Sequence, residues 1–103
     1  ATRDWLQTDM ARAFMRAYGK TRLYMNEAPA AEIARAEKPY FPKIDEAVLE
    51  KCIATYQKLG CWTPHVDIRP PAYEVTLDVF EFNGSLKERY AYEQVCCAPP
   101  DGA

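Results

Sequence analysis

Four cysteines and one histidine are the residues of this sequence best suited to chemistry: Cys52, Cys61, His65, Cys96 and Cys97. Thiolate and imidazole are the usual zinc ligands, but zinc sites pair them as CxxC or HxxxH, and neither pair is present. Cys61 and His65 stand four residues apart, and with Cys96 and Cys97 they make a four-ligand set on paper. Adjacent cysteines rarely both reach one tetrahedral ion without strain, so no residue is assigned to a metal. The ordinary reading is buried thiols acting as small hydrophobes. In an oxidising compartment a bridge from Cys61 to Cys96 or Cys97 stays open. A bridge from Cys52 to Cys61 does not, because a helix running on from Cys52 to Leu59 holds the two too far apart.

His65 is the one side chain with a base near neutral pH. No serine or cysteine nucleophile with an orienting carboxylate is identifiable beside it, so it reads as a solvated or packed histidine. Trp62 could stack on a planar ligand; a tryptophan just past a helix is more often a core anchor. Arg12, Arg16 and Lys20 repeat at helical spacing and could contact an anion, although a solvated face is the commoner meaning of such a row. The sequence therefore carries no catalytic residue, no cofactor motif and no metal site, and it reads as something other than an enzyme.

Helices must position these residues. From 8 to 26, Met10, Ala13, Phe14, Ala17, Thr21, Tyr24 and Met25 recur at helical spacing, with Thr8 or Asp9 as cap. Gly19 weakens this helix and is expected to mark a close contact with another helix. A short helix follows Pro29 over 30–37, with proline at home in the first turn. Pro39-Tyr40-Phe41-Pro42 breaks the pattern and is expected to plug its two aromatics into a core. A third helix runs over 45–59: Asp45 caps it, Ile44 staples against Leu49, and Gly60 supplies the left-handed stop. Its apolar stripe is Val48, Leu49, Cys52, Ile53, Tyr56 and Leu59.

Over 73–82 the residues point two ways. Tyr73, Val75, Leu77 and Val79 alternate with polar residues as a strand would, and Asn83-Gly84 is a favoured hairpin turn with 86–95 as the returning strand. Ala72, Val75, Val79 and Phe82 also share one helical face, framed by Pro70-Pro71 and Asn83-Gly84. Propensity and alternation alone lean slightly to the hairpin.

Several of these stretches, taken in order, resemble a known family. Ala1-Thr2-Arg3-Asp4-Trp5-Leu6 and Ala11-Arg12-Ala13-Phe14-Met15-Arg16-Ala17-Tyr18 are similar to a late stretch of the SsuA/THI5-like substrate-binding proteins of ABC transporters. The likeness continues through Asp45-Glu46-Ala47-Val48-Leu49-Glu50, Trp62-Thr63-Pro64, Leu77-Asp78-Val79-Phe80 and Gly84. It ends with Leu86-Lys87 and Tyr92-Glu93-Gln94-Val95. The four cysteines and Gln7-Thr8-Asp9-Met10, where a proline is usual, depart from it.

The resemblance implies that 73–82 is a helix. It implies a mainly α unit over 1–103, the helical C-terminal segment of a periplasmic-binding-protein-like type II α/β fold, without the sheet-bearing lobes. It implies an extracytoplasmic solute-binding component of an uptake system. The solute would be a sulfonate, nitrate or thiamine pyrimidine precursor, and the partner an ABC permease. Most ligand contacts in such receptors would lie in the lobes, so no ligand residue is assigned; Thr2 and Arg3 come nearest and read as structural. Apolar faces meant for a lobe would favour self-association. The competing expectations are a small helical interaction module and a Cys/His metal protein.

Composition agrees with a small domain. The chain has 103 residues, 49% of them hydrophobic, with 13 Lys+Arg against 15 Asp+Glu, which gives no bulk attraction to nucleic acid. The aromatic content of 13% speaks against a disordered tail. No run reaches the roughly 18 apolar residues of a membrane span, and no signal-peptide pattern stands at Ala1-Thr2-Arg3-Asp4.

Overall fold

The computed structural model describes residues 1–100. These form six α-helices and one 3-10 turn, with no strand among the described residues. Helix α1 (Arg3–Leu6) is opened by Thr2, whose hydroxyl accepts from the Trp5 N–H at 3.2 Å. Helix α2 (Asp9–Glu27) is capped by Thr8, whose hydroxyl accepts from the Ala11 N–H at 3.2 Å. Asp9 instead lies inside the first turn and pairs with Arg12 at 2.8 Å. Helix α3 (Ala30–Glu37) runs straight into the 3-10 turn Lys38–Tyr40. Helix α4 (Glu46–Leu59) has Asp45 in the cap position but without a side-chain cap bond. It ends on Gly60 at φ 68°, where a side chain would meet the following carbonyl and glycine does not.

Helix α5 (Pro70–Phe82) settles the two-way segment as a helix. Asn83-Gly84 closes that helix rather than turning a hairpin. Gly84 takes φ 78°, and the Ser85 N–H reaches back to the Phe80 carbonyl at 2.9 Å and to Asn83 Oδ1 at 3.0 Å. A left-handed glycine serves a helix stop as well as a hairpin turn, so the dipeptide alone could not choose. The segment 86–95, which the hairpin alternative would have made a return strand, is a loop followed by helix α6 (Tyr92–Val95).

Eight apolar residues are buried among those described, in two clusters and one isolated contact at Ala11. The first cluster joins α3 to α4: Ile33, Ala34, Leu49 and Ile53, with Met25, Ala28, Ala30 and Trp62 packed on them. Trp62 is the expected anchor, edge-on to Tyr56 at 5.6 Å between ring centroids. Gln57 fastens the end of α2 to this pair, donating to the Met25 and Ala28 carbonyls at 2.9 Å each. Tyr40 and Phe41 do not plug in; Tyr40 is 81% exposed. Lys38 closes that connector on itself by donating to the carbonyls of Pro42 and Ile44, which leaves the rings outside.

The second cluster is Tyr73, Leu77 and Cys96, with Leu86 and Tyr92 on its rim. Tyr73 donates to the Tyr90 carbonyl at 2.7 Å, and Tyr92 donates to that of Ile68. Burial lifts both hydroxyls above their ordinary pKa, and nearby Cys96 adds to the lift. Tyr24 on α2 is raised too, there first by its hydrogen bond to Glu32.

With two small cores in place of one, the molecule is broad and flat, 41 × 38 × 23 Å. Its radius of gyration is 16.6 Å, against about 13 Å for a compact domain of this length. Its accessible surface is 7981 Å², whereas a compact monomer of its 11.8 kDa would expose about 5,900 Å².

Candidate functional site

Two clefts and a set of uncovered helix faces are where this chain could meet another molecule. The first cleft, about 360 Å³, lies where residues 97–100 cross the start of the chain, with Arg3, Gln7, Arg12 and Cys97 in its wall. Arg12 in that wall is paired with Asp9 at 2.8 Å. The second, about 480 Å³, is an open groove between α2 and the loop after α4. Arg16 and Lys20 border it from the helix and His65 and Asp67 from the loop. That loop passes Gly19 at a distance that does not require glycine: a Cβ there would meet Val66 Cγ1 at 3.7 Å, an ordinary contact. The close contact expected at Gly19 is thus with a loop, not a helix. Arg22 fixes the same loop, donating to the Thr63 carbonyl at 2.8 Å and its hydroxyl at 2.7 Å.

His65 does have a carboxylate beside it, which the sequence reading missed. Its Nδ1 lies 3.0 Å from Asp67 Oδ1, and Arg69 reaches the other oxygen at 3.3 Å. Burial works against ionisation of Asp67, but its own backbone N–H, Arg69 and His65 outweigh that and hold its pKa below the ordinary value. The signal was a His-x-Asp-x-Arg spacing in an extended loop, where i and i+2 side chains can meet.

The cysteines are not gathered. All four are free, and among the described residues no three His, Cys, Asp or Glu side chains stand close enough to share a metal ion. Only Cys96 is the buried thiol expected; Cys52, Cys61 and Cys97 are exposed. Cys97 sits beside Arg3 in the first cleft, while His65 belongs to the second.

Arg89 is another residue the sequence reading passed over. It donates to Glu74 at 2.9 Å, Asp78 at 2.9 Å and Glu81 at 2.8 Å, and these three carboxylates raise its pKa above the ordinary guanidinium value. An acidic row at i, i+4 and i+7 on a helix asks for such a cation, and only the fold brings it from the loop.

The apolar faces are the most extensive feature. On α5 the core takes Tyr73 and Leu77, while Val75, Val79 and Phe82, on the opposite side, are exposed, Phe82 by 94%. The helix is therefore apolar on two opposed faces, as a helix packed between two bodies is. On α2 the side turned inward carries Ala11, Met15, Gly19, Arg22 and Asn26. Apart from Met25, which packs on the first cluster, the stripe read from the sequence as its core face is rotated away; Met10 and Phe14 are exposed, Met10 by 70%. Phe14 stacks on Tyr18 and meets Trp5 edge-on along it. On α4 only part of the stripe is used: Leu49 and Ile53 are buried, and Val48, Cys52, Tyr56 and Leu59 are not. Among the described residues no helix is long and apolar enough to cross a membrane. Compared with family models, curated proteins and solved structures, the chain finds no match.

Proposed function

We propose that this chain is the helical part of a solute-binding receptor of an ABC-type uptake system, a packing element rather than a catalyst. The observation that carries this is the two-faced α5, with Tyr73 and Leu77 covered and Val75, Val79 and Phe82 bare. A chain that breaks no bond needs no nucleophile or acid–base pair; it needs surfaces that hold lobes in place. In such a receptor two lobes close over a small solute, commonly an anionic or heteroaromatic one, and deliver it to a permease. The uncovered helices here would rest on one lobe. The resemblance of residues 1–6, 11–18, 45–50 and 77–80 to the SsuA/THI5-like proteins supplies the solute classes: sulfonate, nitrate or thiamine pyrimidine precursor.

Calorimetry tests this. The 103-residue chain should give no binding heat with taurine, an alkanesulfonate, nitrate or an aminopyrimidine. A polypeptide that carries the same segment behind two α/β lobes should bind one of them. Micromolar binding by the 103-residue chain alone would overturn the placement of the solute site outside it.

A further inference from the structure

We infer that two copies of this chain pair reciprocally, the exposed face of α2 in each docking antiparallel on the exposed face of α5 in the other. The inference goes beyond the receptor reading, since it concerns the chain with no lobe beside it.

Three observations lead to it. First, area: the surface exceeds that of a compact monomer by about 2,000 Å², and a standard association needs only about 800 Å² per partner. Second, fit: the α5 face from Ala72 to Phe82 is about 15 Å long, and the α2 stripe from Met10 to Tyr24 is about 21 Å, so the shorter lies within the longer. Third, charge. Advancing about 100° per residue, Glu74, Asp78 and Glu81 fall on the flank that precedes the α5 apolar face in the sense of rotation. Arg12, Arg16 and Lys20 fall on the flank that precedes the α2 stripe, with Asp9, the partner of Arg12, at its N-terminal end, so the flank keeps an excess of positive charge. When helices dock antiparallel, flanks on the same rotational side face each other. The pairing sets the α2 basic row against the α5 acidic row, where three carboxylates share the single charge of Arg89. Pairing α5 with α5 antiparallel would set acid against acid, and α2 with α2 base against base. Reciprocal α2–α5 contacts close as a two-fold dimer, with each copy giving and receiving one helix.

Sedimentation of the full chain over a concentration series, with light scattering, reads the outcome. A dimer is expected. Phe14→Asp on α2 and Val79→Asp on α5 should each weaken it by about a hundredfold or more, because an unpaired carboxylate would be buried at the contact. Val48→Asp, on the uncovered side of α4, should leave it intact. All three positions are exposed, so circular dichroism should show unchanged helix content. Zero-length carbodiimide coupling on mixed isotope-labelled and unlabelled wild-type protein gives a check free of variants: an inter-copy link from Lys20 to Glu74 or Asp78 is expected. A monomer throughout the series, an open-ended aggregate, a dimer indifferent to Phe14→Asp and Val79→Asp, or links that never join α2 to α5 would each overturn the pairing. None of these results depends on solute binding.

Discussion

Leu77 and Val79 stand two residues apart on α5, both apolar, and truncating each to alanine should give very different results. Leu77 is 8% exposed among Tyr73, Cys96, Leu86 and Tyr92. Leu77→Ala removes three carbons from that cluster, worth about 2.4 kcal/mol of transfer free energy at about 0.8 per group. The cavity term adds to this, but a cluster so near the surface can partly collapse, which keeps the cost near the low end of the usual 2–5 kcal/mol, at about 2.5. Val79 is 57% exposed. Val79→Ala removes two carbons that are less than half covered, a loss of about 0.7 kcal/mol. Alanine returns about 0.6 kcal/mol in helix propensity, so the two nearly cancel. Urea unfolding followed by circular dichroism, at the lowest protein concentration that gives a signal, measures both. The m-value should stay constant, so that a shift in midpoint reads as stability. Leu77→Ala should also lower Tm by about 10–20 °C in a domain of this size. If Val79→Ala costs as much as Leu77→Ala at that low concentration, the outward face is covered within one chain, and both the two-faced helix and the pairing built on it fail.

Ile33→Ala, at the centre of the α3–α4 cluster and 1% exposed, should cost about 3 kcal/mol in the same urea assay; a loss below about 1 kcal/mol would mean the cluster is not a core. Gly19→Ala and Gly60→Ala should have opposite signs. The first gains about 0.8 kcal/mol of helix propensity, with its new Cβ at ordinary contact from Val66, and the second loses about 1 kcal/mol to its left-handed φ of 68°; thermal melts of the two variants check the signs. Asp67 has a folded pKa below its ordinary 3.8, so its contribution is fully present above that pH and is lost as pH falls through the lower folded value. The urea midpoints of wild type and Asp67→Asn should therefore differ at neutral pH and converge on acidification below 3.8; a gap that persists into strong acid would remove Asp67 as the titrating group.

Much of the element map was legible because local signals agreed with one another. Thr8, Pro29 and Gly60 mark ends that the structure places at Asp9, Ala30 and Leu59, within a residue of the sequence reading. The short helices α1 and α6 were not legible. Four residues hold too little periodicity to register, and α6 is tied by Tyr92 to the distant Ile68 carbonyl, with only a local cap from Gln94 to the Ala91 N–H. The pairs His65–Asp67 and Arg89 with its three carboxylates were hidden for a related reason. One joins residues in a loop with no repeating pattern, and the other crosses 8 to 15 residues of chain.

The faces were misjudged for a different reason, and that reason bears on what the chain does. Periodicity locates an apolar stripe, and the step from stripe to core assumes that the chain itself supplies the cover. On α2 the stripe of Met10, Phe14 and Ala17 is real, yet the face turned inward is Ala11, Met15 and Gly19, chosen by the close approach of the 62–67 loop and by Arg22 on Thr63. On α5 two apolar faces compete, and the one with Tyr73 wins because its hydroxyl finds the Tyr90 carbonyl while its ring meets Tyr92. A helix that satisfies one face internally and keeps a second apolar face is written for two neighbours, of which one is present. Selection against aggregation would favour a polar residue at Phe82 or Val79 if nothing ever covered them. Their chemistry is therefore best explained by cover from outside the described residues, whether by a lobe such as the proposed receptor role calls for or by the α2 stripe of a second copy.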